Sequence, residues 1–214
     1  MKKGKRILAA FLAVLMVVAI MPFTMFSGMF TSKAKAAESG KKYTFEGTEL
    51  EAATTAGKYT DGQAVTAGTD GYFTFYMSAK TKIDGSEKTW SDGYICAQRI
   101  NFGGKADIAN MKNFVSFKTE GTAKVKIYWV EGGADNRQIA IFGSKGDVVT
   151  KTEVTAAKNE AVVSTLELAD AGTYYLGGLE NNNYIFKIEV EETAPVEEPV
   201  IKEYTLDGAE LETA

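Results

Sequence analysis

The chain has 214 residues, 24 of them basic and 28 acidic, with 21 glycines, one cysteine and no histidine. The missing histidine excludes Ser-His-Asp and Cys-His hydrolysis, histidine-bound zinc and imidazole acid/base chemistry within it. With Cys96 alone no internal disulfide forms, so stability must come from a packed core, which a module of about 150 residues is large enough to build.

At the amino terminus, Lys2, Lys3, Lys5 and Arg6 precede an apolar stretch from Ile7 to Met21, and Ala34-Lys35-Ala36 supplies a small-x-small cleavage pattern. This predicts a signal peptide over residues 1–36 and a mature chain beginning at Ala37. The alternative is an uncleaved anchor, since the apolar span approaches the roughly 20 residues a transmembrane helix needs. Either way the remainder is extracellular, secreted or at the cell surface, and meets a membrane only through this segment. Six basic and no acidic residues lie in it, leaving 18 basic against 28 acidic, a net charge of −10. An acidic chain without a basic run argues against nucleic acid and anionic lipid as partners. Binding a polyanion would need a local basic patch or a bridging cation.

From residue 38 to 192 the hydrophobic pattern has period two and helical periodicity is nowhere sustained. The segments 71–77, 113–118, 123–131, 137–142, 148–154, 161–168, 173–177 and 184–190 read as strands, rich in aromatic and β-branched residues. Glycine pairs at 103–104, 132–133 and 177–178, with Ser144-Lys145-Gly146-Asp147 and Asn181-Asn182-Asn183, punctuate them. Eight or more antiparallel strands in one domain predict an all-β fold, a two-sheet β-sandwich of jelly-roll type. Cys96, between Ile95 and Ala97, reads as a small buried apolar residue. Trp129 shares strand parity with Val125 and Ile127 and reads as core.

Proline is absent from residue 37 to 193 and returns at Pro195 and Pro199. Residues 193–202 therefore read as an extended linker, stiffened by proline and by like-charge repulsion. The last twelve residues, Glu203 to Ala214, match Lys42 to Ala53 at seven positions, so 203–214 reads as the start of a second copy of the module. This predicts a longer polypeptide carrying tandem modules, an arrangement suited to attachment and avidity.

The set Thr89-Trp90-Ser91-Asp92-Gly93-Tyr94, Gln98 to Gly104, Trp129 to Gln138, Ala171 to Gly178 and Asn181 to Lys187 resembles the non-catalytic, carbohydrate-binding-like β-sandwich modules of secreted pectate lyases and pectinesterases of gut Gram-positive bacteria. The resemblance covers about residues 41–192. It implies an accessory domain of a pectin-degrading enzyme, with the catalytic domain in the same polypeptide and plant cell-wall polysaccharide, pectin foremost, as partner. It carries over no ligand site residue by residue.

Candidate ligand residues follow from their chemistry. Arg99 and Arg137 are the two arginines left after the leader, against sixteen lysines, and both sit in dense polar motifs. A guanidinium presents a planar five-donor fork to sugar hydroxyls or a uronate carboxylate. Glu131 or Asp135 would orient Arg137; the bland alternative is that Asp135 and Asn136 shape a turn while Arg137 pairs with a carboxylate. Asn181, Asn182 and Asn183 read as a hairpin loop, asparagine tolerating left-handed backbone, or as amides offered to sugar hydroxyls. Trp90 and Tyr94 lie in a polar, glycine-containing segment, where an aromatic either stacks on a pyranose or caps the core. Asp84, Glu87, Asp92, Glu131, Asp135 and Asp170 sit in or near turns, where solvation is the default, and show no arrangement for catalysis. No cofactor is implied; calcium held by turn carboxylates is compatible with such a sandwich but has no assigned position. The expectation is a non-catalytic carbohydrate-binding module, with a structural spacer or adhesin repeat as the alternative and a lyase using Arg137 or a lysine as base as the remotest reading.

Overall fold

The computed structural model describes residues 40–133, 137–153 and 159–193. The 1–36 leader, Asp135, Asn136, Val154, the linker from Ala194 and the 203–214 repeat lie outside the described residues. In chain order the strands are β1 (Lys42–Glu46), β2 (Ala64–Ala67), β3 (Phe73–Tyr76), β4 (Lys82–Thr89), β5 (Ile95–Asn101), β6 (Phe114–Thr119), β7 (Ala123–Glu131), β8 (Ile139–Phe142), β9 (Val148–Lys151), β10 (Ala161–Leu168), β11 (Gly172–Gly178) and β12 (Asn183–Glu192). Among the described residues there is no α-helix, only short 3-10 turns at Gly47–Glu49 and Thr69–Gly71.

One sheet has the order β10-β7-β12-β5-β4, with β1 also paired to β12; the other runs β2-β3-β6-β11-β8-β9. Every pairing is antiparallel, which makes the module the expected two-sheet sandwich. Its core lies between the sheets and is built by alternation. Phe73 and Phe75, Val115 and Phe117, Tyr174 and Leu176, and Ile139 and Ile141 come from one sheet. Val125, Ile127, Trp129, Ile185, Ile188, Ile83 and Ile100 come from the other. Trp129 is fully buried, between Val162 and Ile185 on the flanking strands, and its indole N–H reaches Ser164 Oγ at 3.0 Å. That bond lets a tryptophan sit in the core without stranding its donor.

Four strands were not legible. β1 was visible only as a repeat, β2 carries just Ala-Val-Thr-Ala, and β4 and β5 bury little: Ile83 on β4, and Cys96 and Ile100 on β5. The reason lies at β12. Its upper half, Tyr184 and Ile185, pairs with β5, whereas Lys187 to Glu191 pair with β1. The register of β12 against β7 shifts between Ile185 and Lys187, so Phe186 is an extra residue in a bulge. With β1 occupying the lower edge, the far end of the β4–β5 hairpin arches over the outer face of the sheet, and the Trp90 indole N–H reaches Val162 O on β10 at 3.2 Å. Beneath this flap Trp90, Cys96, Tyr128, Val130 and Phe186 form a second apolar cluster. With only Ile83, Cys96 and Ile100 buried, β4 and β5 lack the regular apolar alternation of a strand packed along one face, which is why they read as polar sequence.

The β3–β4, β5–β6, β7–β8 and β11–β12 connections each cross from one sheet to the other. The pairs Lys82↔Asn101, Asn101↔Tyr184 and Glu131↔Asn183 place all four at the same end of the sandwich.

Candidate functional site

Most of the described candidate residues meet at that end. Arg137 donates from Nη1 to both the backbone oxygen and Oδ1 of Asn182, each at 2.8 Å, and its backbone N–H donates to Glu131 Oε1 at 3.1 Å. Glu131 is wholly buried, so the expectation of a solvated turn carboxylate is corrected: as the last residue of β7 it fixes the start of the next strand rather than facing water. Asn182 Nδ2 donates to Asn101 Oδ1 at 3.0 Å, and that oxygen also accepts the Gly103 amide at 2.9 Å. Asn183 Nδ2 donates to Gln138 O at 3.0 Å, and the Tyr184 hydroxyl to Gly132 O at 3.3 Å.

Arg99 lies one strand over. Its guanidinium carbon is 3.8 Å from the centre of the Tyr184 ring, and its Nε reaches Asp84 Oδ1 at 2.6 Å. Asp84 is therefore paired, not simply solvated. Ring and carboxylate together hold the guanidinium plane in one orientation.

The Asn181–Asn183 segment is not a hairpin within one sheet. It joins β11 to β12 across the sandwich, and none of its residues has a positive φ; left-handed asparagines occur instead at Asn113 and Asn159. The amides work by bonding: Asn181 Oδ1 accepts the Asn182 amide at 2.9 Å while Asn181 itself is exposed. The turn is tight, since a Cβ on Gly178 would lie 1.8 Å from Asn181 O.

Trp90 and Tyr94 are elsewhere, under the flap. Trp90 is 3% exposed and packs edge-on against Tyr128 and Phe186, with ring centres 5.7 and 4.9 Å away. It has no face free for a pyranose, so stacking is replaced by the capping alternative. Tyr94 is half-buried, with Lys187 Nζ 4.4 Å from its ring centre, and burial pushes its phenol pKa up. Asp92 tethers the flap: it accepts the Tyr128 hydroxyl at 2.8 Å, the Tyr94 amide at 3.1 Å and Lys126 Nζ at 3.1 Å. Those partners, the Tyr128 hydroxyl first, lower its carboxyl to about 2. Asp92 too is thus engaged, not merely solvated.

Next to the Arg137–Asn182–Asn101 chain, and joined to it through Gly103, is a cleft of about 320 Å³. Lys80, Lys105, Lys112, Asp61, Asp107 and Asn113 line it together with Gly103 and Gly104. A Cβ on Gly103, whose φ is 76°, would come within 2.6 Å of Lys80 Cβ, so glycine there lets the β5–β6 loop close on the β3–β4 loop. Lys112 Nζ is 3.3 Å from Asp61 and 4.0 Å from Asp107. The Ala79 amide and Lys112 hold Asp61 below the ordinary carboxylate range, and the Asn110 side chain does the same for Asp107. Only the glycine pair at 103–104 marked this place in the sequence; Lys80 comes from the β3–β4 loop and Lys105 and Lys112 from the β5–β6 loop, and no local pattern could join the two.

No protein-family model matches the chain, and no curated protein matches it. Solved structures similar to it include carbohydrate-binding modules. The C-terminal family 6 module of a marine laminarinase from Zobellia galactanivorans is 14% identical over 52% of this chain and 90% of that one, with a TM-score of 0.30. A family 35 module from Clostridium thermocellum is 11% identical over 55% and 96%, at 0.31. A family 51 module from Clostridium perfringens, in complex with methyl-galactose, is 10% identical over 69% and 99%, at 0.35. At these identities and TM-scores the likeness assigns no function, which has to come from the side chains. Among the described residues, no helix is long and apolar enough to cross a membrane, and no group of three or more acidic or cysteine side chains is placed to hold a metal.

Proposed function

We propose that the chain is an extracellular, non-catalytic carbohydrate-binding module, repeated in tandem, that holds a pectin-degrading enzyme on plant cell-wall polysaccharide. The supporting observation is the loop-bearing end, where Arg137, Asn182 and Asn101 come from three different parts of the chain and are linked by side-chain hydrogen bonds, while Arg99 is held nearby by Asp84 and the Tyr184 ring. Planar donors fixed before binding lose little side-chain freedom when a glycan arrives, which reduces the cost of association. The leader accounts for export, and the Pro/Glu linker with the following repeat for spacing between copies. A structural repeat without a glycan site is the second reading, and it draws on the same bonds: Arg137 and Asn182 satisfy each other without any ligand.

Migration through gels containing polygalacturonate, neutral galactan, xylan or no polymer separates the two readings. One module is expected to bind polygalacturonate weakly, at high micromolar to millimolar Kd, or ~4–6 kcal/mol, because a rim site buries little area. Two linked copies are expected to be retarded at least tenfold more strongly by the polymer, yet to gain little on oligosaccharides too short to span both sites. Unchanged mobility in every gel, for one copy and for two, leaves the spacer reading standing and removes the binding one.

A further inference from the structure

We propose that the cleft between the β3–β4 and β5–β6 loops is a binding site for a single carboxylate-bearing sugar unit, with Lys80 and Lys105 meeting the carboxylate and Asp61 and Asp107 meeting hydroxyls. The inference rests on the carbohydrate-binding reading and names the sugar class and the place.

Size comes first. A cleft of about 320 Å³ lies at the small end of ligand sites, room for one ring rather than a chain. Charge comes next. Three lysines against two aspartates leave one surplus positive charge in a mature chain whose net charge is −10. Lys112 is committed to Asp61 and Asp107, whereas no ion pair of Lys80 or Lys105 occurs among the described residues. Both are exposed lysines on loops brought together by Gly103. This is the local basic patch an otherwise acidic protein needs before it can hold an anion. An anion alone would use only the lysines. The aspartates, kept ionised by the Ala79 amide, Lys112 and Asn110, are acceptors suited to hydroxyl groups.

Asn113 fixes the shape of the same wall. Its backbone is left-handed, φ 64°, and its side chain is 8% exposed. Its Nδ2 donates to Lys105 O at 3.1 Å, which fixes the amide, while its Oδ1 has no hydrogen-bond partner. That oxygen is shut off from the cleft, so Asn113 shapes and stiffens the wall and does not itself meet the sugar. Carboxylate at one side and hydroxyls at the other define a uronic acid residue better than a neutral hexose or a bare inorganic anion.

Binding of trigalacturonate, its fully methyl-esterified counterpart and inorganic phosphate to the protein tests this, with the double variant Lys80→Ala/Lys105→Ala alongside and thermal unfolding as a check that the variant is folded. The acidic trimer is expected to bind at least tenfold more tightly than the ester, and the double variant, unfolding at the same temperature, to lose that preference while keeping its affinity for the ester. Should the variant bind the acidic trimer as well as the parent does, the cleft is not the site, even though the carbohydrate-binding reading survives. Phosphate competing as effectively as the trimer would reduce the cleft to a simple anion sink. Failure of every glycan, acidic or esterified, to bind overturns the parent reading itself.

Discussion

Trp90→Ala is expected to cost the module about 3–5 kcal/mol of stability, the range for removing a large buried aromatic. The indole is nearly inaccessible, contacts Tyr94, Tyr128 and Phe186, and donates to Val162 O on the far edge strand. Its loss opens a cavity beneath the flap and frees the hairpin from β10. Against a typical total of about 5–15 kcal/mol this is a large fraction. Denaturant unfolding measures it directly. Glycan affinity of the folded fraction is expected to stay unchanged, because Trp90's own ring and hydrogen-bond partners, Tyr94, Tyr128, Phe186 and Val162, lie outside the loop-bearing end. A variant that unfolds like the parent but no longer binds polysaccharide would return Trp90 to a stacking role.

Gly178→Ala is the second large effect. The added Cβ would sit 1.8 Å from the Asn181 carbonyl oxygen, a clash with backbone that no rotamer change relieves. The β11–β12 turn has to open, and with it go the bonds from Arg137 to Asn182 and from Asn183 to Gln138. Overpacking of this kind costs about 1–3 kcal/mol, and each lost hydrogen bond adds about 1 kcal/mol, so a total of about 3 kcal/mol or more is expected by chemical denaturation. Unlike Trp90→Ala, it is expected to weaken glycan binding as well, since the turn braces Asn101 and Arg137. Stability within about 0.5 kcal/mol of the parent would show that the turn is not the tight structure described.

The contrast between Trp90 and Trp129 shows where the sequence was informative. Trp129 lies in an alternating strand, so parity placed it in the core. Trp90 lies in a polar stretch, and its burial depends on β1 taking the lower edge of β12 and the hairpin folding over the sheet. Nothing within the flap's own sequence encodes that long-range arrangement. The same limit applies at the site. Arg137 and the three asparagines were legible as residues rich in donors, but their mutual satisfaction depends on β7–β8 and β11–β12 crossing at the same end. Glu131 read as a turn carboxylate because it precedes Gly132-Gly133; its burial follows from pairing with Asn183 at the end of a central strand. The cleft was hidden for the same reason, Lys80 lying 25 and 32 positions before Lys105 and Lys112 along the chain.

The most direct measurement is a map of amide chemical-shift changes in the 15N-labelled protein, without its leader, as oligogalacturonate is added. The account predicts changes concentrated at Lys80, Gly103 to Asp107, Asn113 and the Asn181–Asn183 turn, with Trp90 to Tyr94 unaffected. Changes centred on the flap instead, or no changes at ligand concentrations into the millimolar range, would contradict it.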